Sequence, residues 1–290
     1  MSIFVLGLLI VACFAHDIAI TKAYTEYLKA HVSWEVQDYE NNIFRGWTGD
    51  EISRLFGDKE MDLTGAQVSN VQADITNLPK TLDWSGVNCC HYIRNQGNCG
   101  SCWAFAVSGV ISDRCCLAGT DHGWLAPQEL VSCDNYNSGC DGGDRTQAMR
   151  YVAYNGLVHD ACFPYVAKDQ TCLKKCADGY NWNESHVCKC NTIWICNGEA
   201  NIMTCLAAGP VAAGFAVYND FMYYKSGIYR WDRMSEFRGY HAVRLIGYGV
   251  GYWKCANSWG ASWGEDGCFR IGKGECNIET RNPVICDVTP

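Results

Sequence analysis

The twenty cysteines of this chain are unevenly distributed, and their distribution limits how the chain can fold. Nineteen of them follow residue 88, none lies within residues 16–77, and Cys13 lies in an apolar run near the N-terminus. Such a concentration of cysteines indicates disulfide bonds formed in an oxidising compartment. When Cys13 and the candidate nucleophile Cys102 are set aside, eighteen cysteines remain. This even number predicts a paired framework with one free thiol.

A zinc site is the alternative use of these cysteines. Cys99 and Cys102 have the Cys-x-x-Cys spacing, but no Cys/His quartet with zinc-finger spacing accompanies them. We therefore expect no metal and no cofactor.

The composition indicates a globular protein of the secretory pathway. Of the 290 residues, 48% are hydrophobic and 19% are charged, which suits one large domain or two lobes. The net charge of -8 argues against nucleic acid as a partner. The apolar run from Ile3 to Phe14, followed by Ala15, predicts a signal peptide over residues 1–15, with a buried N-terminal strand as the alternative. No later segment is long and apolar enough to predict a membrane anchor.

A glycine-rich turn leads directly into an apolar segment at Cys102. Few positions from Trp103 to Leu117 are polar, and Gly119 follows, which predicts a buried helix with Cys102 as its first residue. The free N–H groups of a helix N-terminus favour a thiolate. Cys102 is therefore a candidate nucleophile, and the alternative is one more disulfide-bonded cysteine.

A thiol that hydrolyses an amide needs a general base, and His241 is the candidate. It opens a strand-like run 139 positions after Cys102, and Asn257 follows 16 positions later in the sequence Ala-Asn-Ser-Trp-Gly. An imidazole can accept the thiol proton and later protonate the departing amine. The alternative is an ordinary buried histidine in a strand.

The sequence Cys-Gly-Ser-Cys-Trp around Cys102, with His241 and Asn257 at these separations, resembles the papain family of cysteine proteases, and its cathepsin B branch most closely. The resemblance implies that Cys102 attacks the scissile carbonyl, that His241 acts as base and then acid, and that the Asn257 amide orients the imidazole. Gln96, six positions before Cys102, matches the glutamine of the family's oxyanion hole.

The resemblance also implies an α+β, papain-like fold of two lobes with a cleft between them. The Cys102 helix and a helical stretch near 146–155 would belong to the first lobe. The predicted strands of the second lobe are Pro210–Tyr218, His241–Tyr248, Tyr252–Ala256 and Cys268–Ile271. In the family, the glycine pair matching Gly142 and Gly143 binds the extended substrate backbone, and the indole matching Trp259 covers the asparagine–histidine pair.

Residues 16–77 differ from the rest of the chain. They hold 5 Lys and Arg against 11 Asp and Glu, and the segment from Ile18 to Tyr39 could form an amphipathic helix. The composition changes at Leu78, where the sequence resembles the start of a mature cathepsin-type enzyme. We therefore interpret residues 16–77 as a pro-segment that lies backwards through the cleft and inhibits its own enzyme, and residues 78–290 as the peptidase domain. An ordinary small N-terminal domain is the alternative.

Two features depart from cathepsin B, whose occluding loop carries paired histidines, blocks one end of the cleft and gives removal of dipeptides from C-termini. Here only six residues separate Tyr165 from Cys172, and the chain has no His-His pair, which predicts an open cleft and endopeptidase activity. Arg281 stands where the branch has a glutamate at the floor of the second specificity pocket. A positive charge there would disfavour Arg or Lys two residues before the cut and admit acidic or apolar residues, unless Arg281 is turned to solvent.

By resemblance, we expect the disulfides Cys99–Cys140, Cys133–Cys172 and Cys162–Cys176, and the other pairings stay open. We expect a monomeric zymogen that is secreted or sent to a lysosome-like or vacuolar compartment and acts on polypeptides. A catalytically silent peptide-binding homologue and an acyl transferase with the same thioester chemistry are the alternative functions.

Overall fold

The computed structural model describes residues 18–68, 75–89 and 93–289, so the signal peptide expected over residues 1–15 lies outside the described residues. Within these ranges, every helix is too short or too polar to cross a membrane. The helices, numbered α1 to α6, are Lys22–His31, Gly49–Ser53, Cys102–Leu117, Pro127–Cys133, Arg145–Asn155 and Glu199–Ala207. The strands, numbered β1 to β11, are Glu35–Val36, Gln67–Val68, Leu82–Asp83, Lys189–Ile195, Val211–Tyr218, Tyr224–Ser226, Ile228–Tyr229, Phe237–Gly249, Tyr252–Ala256, Cys268–Gly272 and Val284–Thr289.

The first lobe is built around helix α3, which begins at Cys102 as the sequence predicts. Every residue from Cys102 to Cys115 is buried, because α4, α5 and the strand β8 cover the helix. Arg114, near its C-terminal end, donates hydrogen bonds from Nε to the carbonyl of Pro210 at 2.8 Å and from Nη2 to the carbonyl of Gly209 at 3.0 Å. These contacts tie the C-terminal end of the helix to the second lobe.

The second lobe is a long sheet in the order β2-β4-β11-β5-β8-β9-β10-β7. All four predicted strands are present, as β5, β8, β9 and β10, and together with the helical first lobe they confirm the α+β prediction. Strand β8 begins at Phe237, four residues before the predicted start, because its residues from Phe237 to Leu245 pair with the whole of β5. His241 consequently lies inside the strand, opposite Phe215.

The N-terminal segment packs on the second lobe and then enters the cleft. Strand β1 pairs with β6, and the Trp34 ring lies 5.5 Å from that of Tyr229. The buried apolar side chains of the N-terminal segment, including Ile20, Leu28 and Phe44, belong to the same core cluster as the sheet of the second lobe. The described part of this segment therefore has no separate core, unlike an independent N-terminal domain.

Seven disulfides join described cysteines, and the three expected pairings, Cys99–Cys140, Cys133–Cys172 and Cys162–Cys176, are confirmed. The other four are Cys89–Cys116, Cys115–Cys188, Cys190–Cys286 and Cys196–Cys205. The expectation of a single free thiol is wrong, because Cys255, Cys268 and Cys276 are free as well as Cys102. Cys255 and Cys276 are buried apolar residues of the second lobe. An even count of cysteines cannot distinguish such packed thiols from paired ones.

Candidate active site

Cys102 lies at the N-terminus of α3, fully buried and with a free thiol. The disulfide Cys99–Cys140 and a 2.9 Å hydrogen bond from the Gly100 N–H to the Cys140 carbonyl fix the loop before it. A Cβ atom on Gly100 would overlap that carbonyl, so this close approach requires glycine. The loop and the buried helix together hold the sulfur rigidly.

Asn257 sets the orientation and the tautomer of His241. The Nε2 atom of His241 is 2.7 Å from Asn257 Oδ1, and the same oxygen accepts a 2.8 Å hydrogen bond from the Ser258 N–H. Because Oδ1 is an acceptor, Nε2 carries the imidazole proton. The other ring nitrogen, Nδ1, is buried and has no hydrogen-bond partner among the described residues. His241 is therefore arranged to accept a proton at Nδ1.

The Trp259 indole covers the imidazole. The two ring centroids are 4.8 Å apart, with their planes inclined at 32°, and only 3% of Trp259 is exposed. Trp263 and Phe44 pack edge-on against the indole at 4.9 and 5.3 Å. This aromatic cluster keeps water away from the hydrogen bond between His241 and Asn257.

Gln96 presents its amide N–H₂ to the cleft because Ser258 holds the other end of the amide. The Ser258 hydroxyl donates to Gln96 Oε1 at 2.6 Å, and the Gln96 backbone N–H donates to the Ser258 carbonyl at 2.8 Å. The Gln96 Nε2 atom donates to the carbonyls of Cys99 at 2.8 Å and Leu55 at 3.0 Å. Sequence analysis did not identify Ser258, although it lies between Asn257 and Trp259, because its contact with Gln96 appears only in three dimensions.

After a turn at Leu55, residues 57–59 of the N-terminal segment run through the cleft as an extended peptide. A Cβ atom on Gly57 would overlap the carbonyl of Gly100, two residues before Cys102. The Gly57 carbonyl accepts a 2.8 Å hydrogen bond from the Gly143 N–H, and the Lys59 N–H donates to the Gly143 carbonyl at 3.0 Å. These bonds form a parallel bridge between Asp58 and Gly143. The cleft thus binds a peptide backbone directly across Cys102.

The two glycines beside this peptide have no room for a side chain. Gly142 has a φ of 103°, and a Cβ atom there would lie 2.7 Å from the Gly57 carbonyl oxygen. A Cβ atom on Gly143 would lie 2.5 Å from the Trp103 ring. A larger residue at position 142 would displace the bound backbone, and one at position 143 would displace the Trp103 ring.

Burial keeps Cys102 and His241 uncharged. It raises the pKa of the Cys102 thiol to about 12, and the nearby Asp58 carboxylate adds to the rise. It lowers the pKa of His241 to about 4, although the Asn257 hydrogen bond and the charge of Asp58 favour the imidazolium. At neutral pH the pair is therefore thiol and imidazole. The thiolate-favouring effect of the helix N-terminus is outweighed by desolvation while the N-terminal segment covers the site.

Arg281 faces the cleft rather than the solvent. Its side chain is 18% exposed, its Nη2 atom is 3.1 Å from Asp58 Oδ2, and its guanidinium lies 3.5 Å from the centroid of the Tyr240 ring. A second arginine, Arg145, reaches the same carboxylate, with Nε 2.7 Å from Asp58 Oδ1. Sequence analysis missed Arg145 and Asp58. The one available signal was the position of Arg145 two residues after Gly143.

Comparison with known proteins identifies the family of the chain. Residues 78–285 match the family described as papain family cysteine protease. Cathepsin B-like CP3 of Giardia intestinalis is 36% identical over 252 residues, which cover 81% of this chain and 84% of that protein. Cathepsin B of Dictyostelium discoideum is 30% identical over 242 residues, which cover 76% of this chain and 75% of that protein.

Solved precursor structures also share the fold. Procathepsin B S9 from Trypanosoma congolense superposes with a TM-score of 0.84 at 28% identity, covering 93% of this chain and 99% of that one. Procathepsin L2 from Tenebrio molitor superposes with a TM-score of 0.73 at 26% identity, covering 92% and 88%. The papain-like fold therefore includes an N-terminal segment docked as in a zymogen. With a family match over most of its sequence and relatives of the cathepsin B type, the chain belongs to the papain family of cysteine proteases, in its cathepsin B-like branch.

Proposed function

We propose that this protease is an endopeptidase whose catalytic residues are Cys102, His241, Asn257 and Gln96. Nδ1 of His241 takes the thiol proton, and the Cys102 thiolate attacks the scissile carbonyl carbon. The imidazolium then protonates the departing amine, leaving a thioester, which a water molecule deprotonated by the same imidazole hydrolyses. Asn257 keeps the second ring proton on Nε2 throughout, and Gln96 with the Cys102 N–H stabilises the oxyanion.

One observation carries this proposal: the Gln96 amide donates to a peptide carbonyl, that of Leu55, while the same peptide crosses Cys102. A donor fixed in this way by Ser258 is preorganised for the oxyanion of an acyl-transfer step. The bridge to Gly143 supports a role for Gly142 and Gly143 in binding the substrate backbone. The cover of Trp259 over His241 supports its role as a lid that keeps the imidazole dry.

Residues 16–77 are proposed to be the inhibitory pro-segment and residues 78–290 the mature domain. Removal of the segment would admit water to the cleft and remove the burial that holds the thiol and imidazole neutral. The helix N-terminus would then favour the thiolate, and the thiolate would favour the imidazolium. Latency is thus electrostatic as well as steric.

The lack of a counterpart to the occluding-loop histidines is the basis for proposing endopeptidase activity. The short sequence between Tyr165 and Cys172 and the missing His-His pair leave no counterpart of the occluding loop's histidines. Purified enzyme should cut peptides with blocked C-termini at internal bonds. Efficient release of dipeptides from free C-termini only would contradict this assignment.

We further propose a monomer that is secreted or directed to a lysosome-like or vacuolar compartment.

Labelling with a peptidyl epoxide tests the catalytic assignment. The activated enzyme should be labelled once, and Cys102→Ala should abolish both labelling and peptide cleavage. Cys268→Ala is the matched control, because Cys268 is a free and only partly buried thiol, and this variant should keep both activities. Labelling without cleavage of any peptide bond would favour an acyl transferase, and absence of both in the wild type would favour a silent peptide-binding homologue.

A further inference from the structure

We propose that Arg145 and Arg281 form a carboxylate-binding pocket that selects substrates with aspartate two residues before the scissile bond. This inference rests on the proposed protease function and identifies the substrate class of the same cleft. Asp58 of the pro-segment occupies the pocket in the zymogen and shows which chemical group fits it.

The mature domain holds Arg145 in place without help from Asp58. The side chain is fully buried, and Nη1 donates to the carbonyls of Ala212 and Asn282, each at 3.0 Å. Its Nη2 atom donates to the carbonyl of Arg281 at 2.7 Å. The Nε atom is left to donate to Asp58 Oδ1 at 2.7 Å. A guanidinium fixed by three backbone carbonyls keeps its direction when the pro-segment leaves.

Arg281 completes the pocket from the opposite side. Its Nη2 atom is 3.1 Å from Asp58 Oδ2, and its guanidinium is supported by the ring of Tyr240. The two arginines therefore bind the two oxygens of one carboxylate. Arginine is well suited to this, because its planar guanidinium directs several N–H groups at a carboxylate.

Glycine at position 214 makes room for the bound carboxylate. A Cβ atom on Gly214, in strand β5, would overlap Asp58 Oδ2. The pocket thus combines two cations with a wall that lacks a side chain. Aspartate fills this space in the structure, and its side chain is completely buried.

The charges of the pocket are unbalanced once the pro-segment has gone. Among the ion pairs of the described residues, Asp58 is the one carboxylate that contacts Arg145 or Arg281. Arg145 is then a rigidly held cation beside a second cation, Arg281, and neither has a carboxylate partner, which is unfavourable. A substrate aspartate restores the pairing, an apolar side chain leaves both cations unpaired, and a lysine or arginine adds like-charge repulsion.

The position of the pocket along the cleft defines which substrate residue it contacts. Gly57 lies against the loop that carries Cys102, and Asp58 is the next residue. The bridge between Asp58 and Gly143 holds the backbone at this distance. A substrate chain runs through the cleft in the direction opposite to the pro-segment. When the residue directly before its scissile bond lies at Cys102, the residue two positions before the bond consequently directs its side chain at Arg145 and Arg281.

A set of fluorogenic peptides that differ only at this position tests the proposal on enzyme activated from the full chain. We expect kcat/KM for aspartate to exceed that for the isosteric asparagine by about 10- to 100-fold, as for a hydrogen-bonded charge. Leucine should resemble asparagine, and arginine should be the poorest. Cleavage of leucine or asparagine peptides as fast as aspartate peptides would overturn the pocket while leaving the protease assignment intact.

Variants of the pocket give a second measurement. Arg281→Gln should reduce the aspartate-to-asparagine ratio about tenfold, and Arg281→Glu should reverse the preference in favour of arginine. Arg233→Gln is the matched control, since its side chain is 68% exposed and pairs with Glu275. Arg145→Lys keeps the positive charge but not the paired N–H groups, and should also lower the ratio. A ratio unchanged in both Arg281 variants would refute the proposal.

Measurements of peptide binding distinguish an error in the proposed carboxylate-binding pocket from an error in the proposed protease function. If no peptide is cleaved and the epoxide does not react, the protease mechanism is wrong. The same aspartate and asparagine peptides should then be compared as competitors of a fluorescent peptide on the Cys102→Ala chain, after its pro-segment has been removed by an added protease. Tighter binding of the aspartate peptide supports the pocket, and equal binding refutes it.

Discussion

Replacing Asp58 with asparagine in the full-length zymogen should greatly weaken the docking of the pro-segment. Asp58 accepts hydrogen bonds from Arg145 and Arg281, and the side chains of Asp58 and Arg145 are completely buried. Removing one partner of a buried ion pair costs about 3–5 kcal/mol, because the other charge is left buried and uncompensated. The amide oxygen can still accept one hydrogen bond, so we take the lower end. A cost of about 3 kcal/mol corresponds to more than 100-fold in the docking equilibrium.

Limited proteolysis of the pro-segment measures this equilibrium when opening is fast relative to cleavage. Both proteins should carry Cys102→Ala, so that cleavage comes only from the added protease. Asp58→Asn should be clipped about 100-fold faster than its parent. Glu60→Gln is the control, because Glu60 is exposed and takes part in no ion pair among the described residues. Clipping of Asp58→Asn at less than three times the control rate would refute the argument.

Three further measurements test the site and its frame. Gln96→Ala should lower kcat about 100- to 1000-fold with little change in KM, and a change in KM alone would contradict its role at the oxyanion. The pKa of His241, lowered from 6.5 to about 4, means that the undocked or unfolded chain binds more protons between these values. Stability from the neutral imidazole is therefore present above pH 6.5 and lost as the pH falls toward 4. The melting temperature of the Cys102→Ala zymogen should fall over this range, and it should fall less when His241→Gln is added. An equal dependence of the melting temperature on pH in the two proteins would contradict this. Replacing Cys99 and Cys140 together by alanine should lower the free energy of unfolding by about 4 kcal/mol in a denaturant titration, because their disulfide spans 41 residues, and an unchanged midpoint would argue against its role in fixing the nucleophile loop.

Local patterns in the sequence were sufficient to predict much of the fold. The apolar run after Cys102 predicted α3 and its first residue, since nearly every position of that helix is buried. The strand-like run at His241 predicted the location of β8 but not its start at Phe237. The early residues of this strand are exposed or partly exposed, and Arg238 and Gly239 interrupt the apolar pattern. They form a strand because β5 supplies the pairing partner.

The protonation states could not be predicted from sequence. The position of Cys102 at a helix N-terminus predicted a stabilised thiolate, whereas its thiol has a pKa of about 12 in the zymogen. The reason is a non-local one, since a segment that precedes Cys102 by more than forty residues removes water from the cleft. The same limitation applies to the count of free thiols. Cys255, in β9, is a free thiol that packs in the hydrophobic core, and its sequence does not distinguish it from a disulfide-bonded cysteine.

The specificity pocket depends on the same long-range contact. Arg281 could be identified because it stands where the cathepsin B branch has a glutamate, but a single arginine near a cleft is equally compatible with a side chain in solvent. Arg145 changes this interpretation, because it is held by backbone carbonyls of two separate segments, at Ala212 and Asn282. A charge held in so rigid a position, and buried as deeply as in this structure, is stabilised by a counter-charge. In this structure Asp58 supplies it, and under the proposed function the same carboxylate indicates which substrate side chain the active enzyme binds.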